Sequence, residues 1–272
     1  MSKRIISGII GAFFTLFILF FDQKFPSLLS FIISIIAILS INEIFSVMNT
    51  SKNFEIIIPS MIFVAIYPIF KFSTVWQFSW YFYSLWMFAI MILRPNLKLK
   101  IIAVTYTMSI LISLSLGTIT ELKDYGKEFG TFYVLLALAI AWMSDTGAYF
   151  CGKYFGKNKL CPQISPKKTI EGFIGGIIVC FLSVILLSFI FNNCVFAEKR
   201  QINYILLMIL SLSGSAISAL GDLCFSSIKR QCEVKDFGTI MPGHGGILDR
   251  FDSVIFTAPY VFLFIKTISI AI

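Results

Sequence analysis

Nine apolar runs divide this sequence: residues 5–21, 27–47, 56–70, 76–93, 101–118, 132–150, 173–191, 204–223 and 253–270. A helix needs about 20 residues, in a range of about 17 to 25, to cross the hydrocarbon core of a bilayer. The third run is short; the others reach or approach that length. In lipid, only helices and closed barrels satisfy their own backbone. None of the runs alternates at period two, as a barrel strand would. The expectation is an all-α polytopic integral membrane protein with about nine transmembrane helices. Composition agrees, with 58% hydrophobic and 13% charged residues, where a soluble domain carries about 25% charge. The first run follows Lys3 and Arg4, and no small-residue cleavage site succeeds it. It is therefore expected to stay as a first span and not be cleaved as a signal peptide.

Loop charge sets the expected orientation. With the N-terminus on the cytoplasmic side, 15 of the 22 Lys and Arg residues fall on that side, as the positive-inside bias requires. The net charge of +8 then lies mostly at the cytoplasmic face, where a nucleotide or an anionic lipid could also use it. Six cysteines, Cys151, Cys161, Cys180, Cys194, Cys224 and Cys232, form no CxxC pair or zinc spacing and receive no role. No internal repeat or linker appears. The chain reads as one membrane domain, 1–272, with 1–130 as scaffold and 131–272 carrying the chemistry-bearing helices and cytoplasmic loops.

Polar residues gather in two places, loops 151–172 and 224–252, both cytoplasmic in this orientation. The second contains "KDFGTIMPGHGGILDRFD", with the only histidine in the chain, His244. Two carboxylates, Asp145 and Asp222, lie inside the sixth and eighth apolar runs. A charge at the centre of a span costs about 2.5–3.5 kcal/mol on insertion scales, so it faces a partner or a water-filled cavity. By parity, the sixth and eighth runs end on the side where the ninth begins. Asp145, Asp222 and Asp249 can thus share one membrane face, which suggests a divalent cation site. Magnesium is the natural candidate, since it takes oxygen ligands and binds through one or two carboxylates plus substrate phosphates. Asp249 and Asp252 share a face if the ninth helix begins early enough.

Gly245 and Gly246 beside His244 permit positive φ and close backbone approach, as in a phosphate-wrapping turn or a tight re-entry turn. His244 itself could be a base, a phosphate donor or a structural hydrogen bonder. "GAYFCGKY" mimics a P-loop but has Tyr154 where Ser or Thr is needed, and it follows a helix instead of a strand. It is not read as one. "ISPKKTIEG" reads as a basic loop leading into a helix, with Lys167 and Lys168 open to phosphates, Thr169 near the helix start and Glu171 in its first turn.

The segment "SSIKRQCEVKDFGTIMPGHGGILDRFD" resembles the signature of the phosphatidate cytidylyltransferase (CDP-diacylglycerol synthase) family. Ser226, Lys229, Arg230, Lys235, Asp236, Gly238, His244, Gly245, Gly246, Asp249, Arg250 and Asp252 occupy its specified positions. "SDTGAYFCGKYFGKNKL" and "ISPKKTIEG" are similar to the family as well. The C-terminal half matches closely and the N-terminal half in layout. The resemblance implies an Mg²⁺-dependent nucleotidyl transfer at the inner membrane surface, from CTP to phosphatidate, giving CDP-diacylglycerol and pyrophosphate. It implies Asp222 and Asp249 as metal ligands with Asp145 as a further one, and leaves a second cation open. Lys229, Arg230, Lys235 and Arg250 would serve phosphates. Ser226, Asp236, His244, Gly245, Gly246, Lys167, Lys168 and Thr169 are expected on the substrate side. The nucleophile is already a phosphate oxygen, so His244 is not needed as a base. Expected partners are CTP, phosphatidate and membrane lipid, with a homodimer implied by the family and no nucleic acid. A CTP-dependent lipid kinase is the nearest alternative. A transporter is a second, though inverted repeats and interrupted helices are not evident.

Overall fold

The structure is a computed structural model and describes residues 17, 21, 25, 27–50, 53–71, 73–195, 202–240, 245–268 and 270. Eight α-helices occur among these residues: α1 (Leu28–Val47), α2 (Phe54–Phe70), α3 (Thr74–Leu93), α4 (Leu99–Gly126), α5 (Gly130–Phe155), α6 (Ile170–Ile190), α7 (Tyr204–Gln231) and α8 (Leu248–Thr267). They coincide with the second to ninth apolar runs. The first run lies outside the described residues except for Phe17 and Phe21. Four helical stretches, Leu28–Val47, Leu99–Phe155, Ile170–Val195 and Tyr204–Gln231, are long and apolar enough to cross a membrane. The molecule is an all-α membrane protein.

Two helices outrun their apolar cores. The fifth run was expected to end at Thr118, but α4 continues to Gly126. α7 continues to Gln231 and brings Ser226, Lys229 and Arg230 onto a helix, where the sequence suggested loop. Between α5 and α6 a small hairpin forms from β1 (Lys159–Cys161) and β2 (Ser165–Thr169), antiparallel with Lys159 opposite Thr169 and Cys161 opposite Ser165.

The chain divides into two compact units. The first comprises Met1–Glu121 and Cys232–Phe251, the second Leu122–Gln231 and Asp252–Ile272. Within the first, α2 packs on both α1 and α3. The Tyr83 ring stacks on Phe63 at 4.4 Å, and its hydroxyl bonds to Ser60 at 2.9 Å and Ser109 at 3.0 Å. The Tyr67 hydroxyl donates to the Glu121 carboxylate, and Thr120 Oγ1 donates to the Pro68 carbonyl at 3.2 Å. Such buried polar pairs replace water that a bilayer cannot supply.

Within the second unit, α5 and α6 approach nearly backbone to backbone. A methyl added at Gly147 would meet Val179 Cβ at 2.6 Å, and one at Gly176 the Ser144 carbonyl oxygen at 2.7 Å. Small residues at helix contacts allow this closeness, which is how helices associate in lipid where apolar burial between helices gains little. α7 also packs on α5, with Ser144 and Ser215 hydroxyls 2.7 Å apart.

Candidate active site

A cavity of about 510 Å³ opens in the second unit, within the range of small-molecule sites. α5 supplies Asp145, Tyr149 and Lys153 to its wall; the hairpin and the start of α6 supply Lys167, Lys168, Thr169 and Phe173; α7 supplies Asp222. Thr169 stands at the N-cap of α6, where its hydroxyl accepts the Gly172 N–H at 3.1 Å and fixes the end of the hairpin against the helix. Glu171, in the first turn, accepts the backbone N–H groups of Lys157 at 3.0 Å and Asn158 at 3.1 Å. The approach to the hairpin is held to the same helix end. Two consecutive lysines are thereby presented at the cavity wall.

The carboxylates here are closely tied. Lys168 forms an ion pair with Asp222, and Ser226, one turn further along α7, donates to Asp222 at 3.3 Å. Asp145 Oδ2 accepts the Ser253 hydroxyl at 2.7 Å and lies within electrostatic reach of Asp222, Asp252 and Lys168. Asp252 in turn faces Lys229 Nζ at 3.8 Å. The second unit thus brings together three carboxylates and two ammonium groups. Arg230, on the exposed side of α7, donates from Nε to the Ile164 carbonyl of the hairpin turn at 3.3 Å.

Asp249 belongs to the first unit, where it shapes the glycine-rich segment. Its Oδ2 accepts the N–H of Phe237 at 2.8 Å and of Gly246 at 2.9 Å. Gly245 has φ +82°, in the left-handed region that suits glycine. Glu43, from α1, meets the same segment: Oε1 accepts the Ile247 N–H at 2.8 Å and Oε2 the Leu248 N–H at 2.9 Å. Lys235, Asp236 and Arg250 are exposed. His244 lies outside the described residues.

Of the sequence-predicted residues, Asp145, Asp222, Lys167, Lys168 and Thr169 share one cavity, and Asp249, in the first turn of α8, holds the loop that carries Gly245 and Gly246. Glu43, Asp252 and Ser253 enter these groups without having been assigned a role. The signal for Glu43 is its place as an acidic residue inside the second apolar run; Asp252 stands one helical turn beyond Asp249. Replacing Gly245 with Ala should destabilise the loop by about 1–2 kcal/mol from the left-handed backbone alone. A methyl there would also meet Asp249 Oδ2 at 2.9 Å. The expected result is a measurably lower melting temperature in detergent and weakened activity; an unchanged melting curve would contradict it.

Oxygen donors from carboxylates suit a hard divalent cation. Among the described residues no three His, Cys, Asp or Glu side chains are arranged to hold a metal by themselves. Mg²⁺ commonly binds through one or two carboxylates completed by phosphate oxygens and water, and Asp145 and Asp222 on the cavity wall offer donors of that chemistry.

The family model described as "Cytidylyltransferase family" matches residues 2–268. Over 142 residues the chain is 44% identical to the phosphatidate cytidylyltransferase of Bacillus subtilis (strain 168), covering 52% of this chain and 50% of that protein. Over 133 residues it is 48% identical to the phosphatidate cytidylyltransferase of Staphylococcus saprophyticus subsp. saprophyticus (strain ATCC 15305), covering 49% of this chain and 48% of the relative. Identity reaches 49% with the protein of that name from Staphylococcus aureus (strain COL), over the same shares. The chain spans about half the length of these curated relatives in the match.

Proposed function

Because the chain belongs to the cytidylyltransferase family, we propose that it is a nucleotidyltransferase joining CTP and phosphatidate to give CDP-diacylglycerol and pyrophosphate. The observation that carries this reading is the cavity lined by Asp145, Asp222, Lys167 and Lys168, in a chain whose relatives are named for that reaction. It is large enough for a nucleotide, and it pairs carboxylates with ammonium groups, as a polyphosphate–cation complex needs. A purely apolar membrane scaffold has no use for such a group.

In this reading Lys167 and Lys168 bind phosphate oxygens of CTP, and Thr169 holds them in register at the start of α6. Asp145 and Asp222 hold Mg²⁺, which when bound offsets phosphate repulsion and stabilises charge on the α-phosphoryl group and the leaving pyrophosphate. A phosphatidate oxygen attacks the α-phosphorus in line, a new P–O bond forms, and the bond to pyrophosphate breaks. No base is required, since the attacking oxygen is already anionic. Lys229, Arg230, Lys235 and Arg250 are assigned to phosphates from their places in the signature, and so is Asp249 as a further metal ligand. The N-terminus and both charged loops are placed on the cytoplasmic side of the cell membrane, on the strength of the Lys and Arg bias. A homodimer, implied by the family, is part of the same reading.

The test uses purified protein in mixed micelles with phosphatidate, Mg²⁺ and CTP labelled in the cytosine ring. Label should enter the chloroform phase, require phosphatidate, and vanish when EDTA removes the metal. Folded protein that leaves the label in water would sink the proposal. In a parallel reaction with γ-labelled CTP, entry of that label alone into the lipid phase would make the protein a CTP-dependent lipid kinase.

A further inference from the structure

Glu43 lies within a membrane-length apolar helix and is 3% exposed. Neither the family resemblance nor the proposed chemistry uses it. Both of its oxygens nevertheless take backbone N–H groups, those of Ile247 and Leu248. These are amides at the start of α8, which have no partner within the helix. The segment makes room for the carboxylate: a methyl added at Gly238 would meet Glu43 Cδ at 2.8 Å. In the same segment Asp249 Oδ2 takes the N–H groups of Phe237 and Gly246. Four backbone donors of the motif are therefore aimed at two carboxylates, one from α1 and one from α8 itself.

A simple helix cap needs one short polar side chain from its own segment. Here the anchor comes from a helix 204 residues earlier and brings an acidic side chain into an apolar run, where ionisable groups are costly unless partnered. Its two hydrogen bonds hold both the loop end and the helix start in one arrangement. We propose that Glu43 is a positioning residue for the transfer reaction: it fixes the backbone at Ile247 and Leu248 and, through it, the orientation of Asp249. The catalytic part of this inference rests on the function proposed above; the anchoring part does not.

The experiment compares wild type, Glu43→Gln, Asp249→Asn and the double variant, in the labelled-CTP assay and in limited trypsin digestion at the exposed Lys235. Glutamine keeps the size of the side chain but offers one acceptor and one donor to two N–H groups. Glu43→Gln should lower kcat about 10- to 100-fold with KM for CTP changed less than about twofold. In the Asp249→Asn background it should cost less than about twofold more, because residues acting as a unit are not additive. Cleavage at Lys235 should be faster in Glu43→Gln by about tenfold, as expected when an anchored segment opens more often. Should Glu43→Gln fail to accumulate, Glu43→Asp keeps the carboxylate, withdraws it by one methylene, and should be cut faster than wild type by about threefold. Unchanged cleavage in whichever variant accumulates, or a double variant whose losses multiply, would overturn the proposal. If wild type shows no cytidylyl transfer, the function proposed above fails, and the digestion alone decides whether Glu43 anchors the segment.

Discussion

Asp249→Asn is expected to reduce cytidylyl transfer at least about a thousandfold, equivalent to roughly 4 kcal/mol of transition-state stabilisation, while leaving membrane insertion and yield intact. The geometry separates the two effects. Oδ2 accepts both loop amides, so an asparagine oxygen in that position can keep both of these bonds. What is lost is the negative charge, together with the second oxygen, which becomes an N–H₂ donor. In the proposed reaction, a site that holds a cation and approaches polyphosphate responds steeply to that exchange, because charges aimed at the reacting groups are the largest source of rate in phosphoryl chemistry. The measurement is the labelled-CTP assay on protein that elutes as a single folded species in detergent. Near-normal turnover would remove Asp249 from the catalytic set.

The largest stability effect is expected at Lys229. Lys229 and Asp252 are 8% and 6% exposed, with Nζ facing Oδ2 at 3.8 Å. The other oxygen of Asp252 accepts the Ser253 N–H at 2.8 Å, and the Ser253 hydroxyl in turn serves Asp145. Lys229→Met removes the ammonium and leaves the carboxylate where it was. Breaking a buried pair in this way costs about 3–5 kcal/mol, whereas replacing both members can be nearly neutral. Thermal unfolding in detergent should show a large drop for Lys229→Met and recovery of most of it in Lys229→Met/Asp252→Asn. A single variant as stable as wild type would mean that the attraction only balances the cost of desolvating the lysine. Activity should not recover in the double variant, since Lys229 is assigned to phosphate.

The helices were legible because a bilayer imposes length and apolarity on anything that crosses it, and runs such as 27–47 and 173–191 have no other reading. Their ends were less so. α4 extends past Thr118 because Glu121 finds Tyr67 across the unit, a partnership that no local pattern announces. The 159–169 hairpin was missed for the opposite reason. Its sequence contains Pro162 and Pro166 and lacks alternation, and it is pinned from outside by Thr169 and Glu171 at the head of α6. In the site, Asp145, Asp222, Lys167 and Lys168 could be named because charge is rare in this chain, so each occurrence carries information. Their grouping into one cavity depends on how α5, α6 and α7 pack, and that is settled by small residues such as Gly147 and Gly176 whose contacts the sequence does not display. Glu43 was visible as an anomaly, but its partners are backbone amides, which every residue but proline possesses and which leave no trace in a sequence.

That partnership sets an order of events in the life of the chain. A ribosome adding about 5–20 residues per second reaches Ile247 about 10–40 s after it has made Glu43, 204 residues earlier. The amides that will receive this carboxylate do not exist when its helix is first synthesised. For that interval the N-terminal half must be tolerated in an incomplete form, with an acidic side chain waiting in an apolar segment. A later stretch of the chain therefore completes an earlier one, and arrival of the motif supplies the partners that Glu43 has been waiting for.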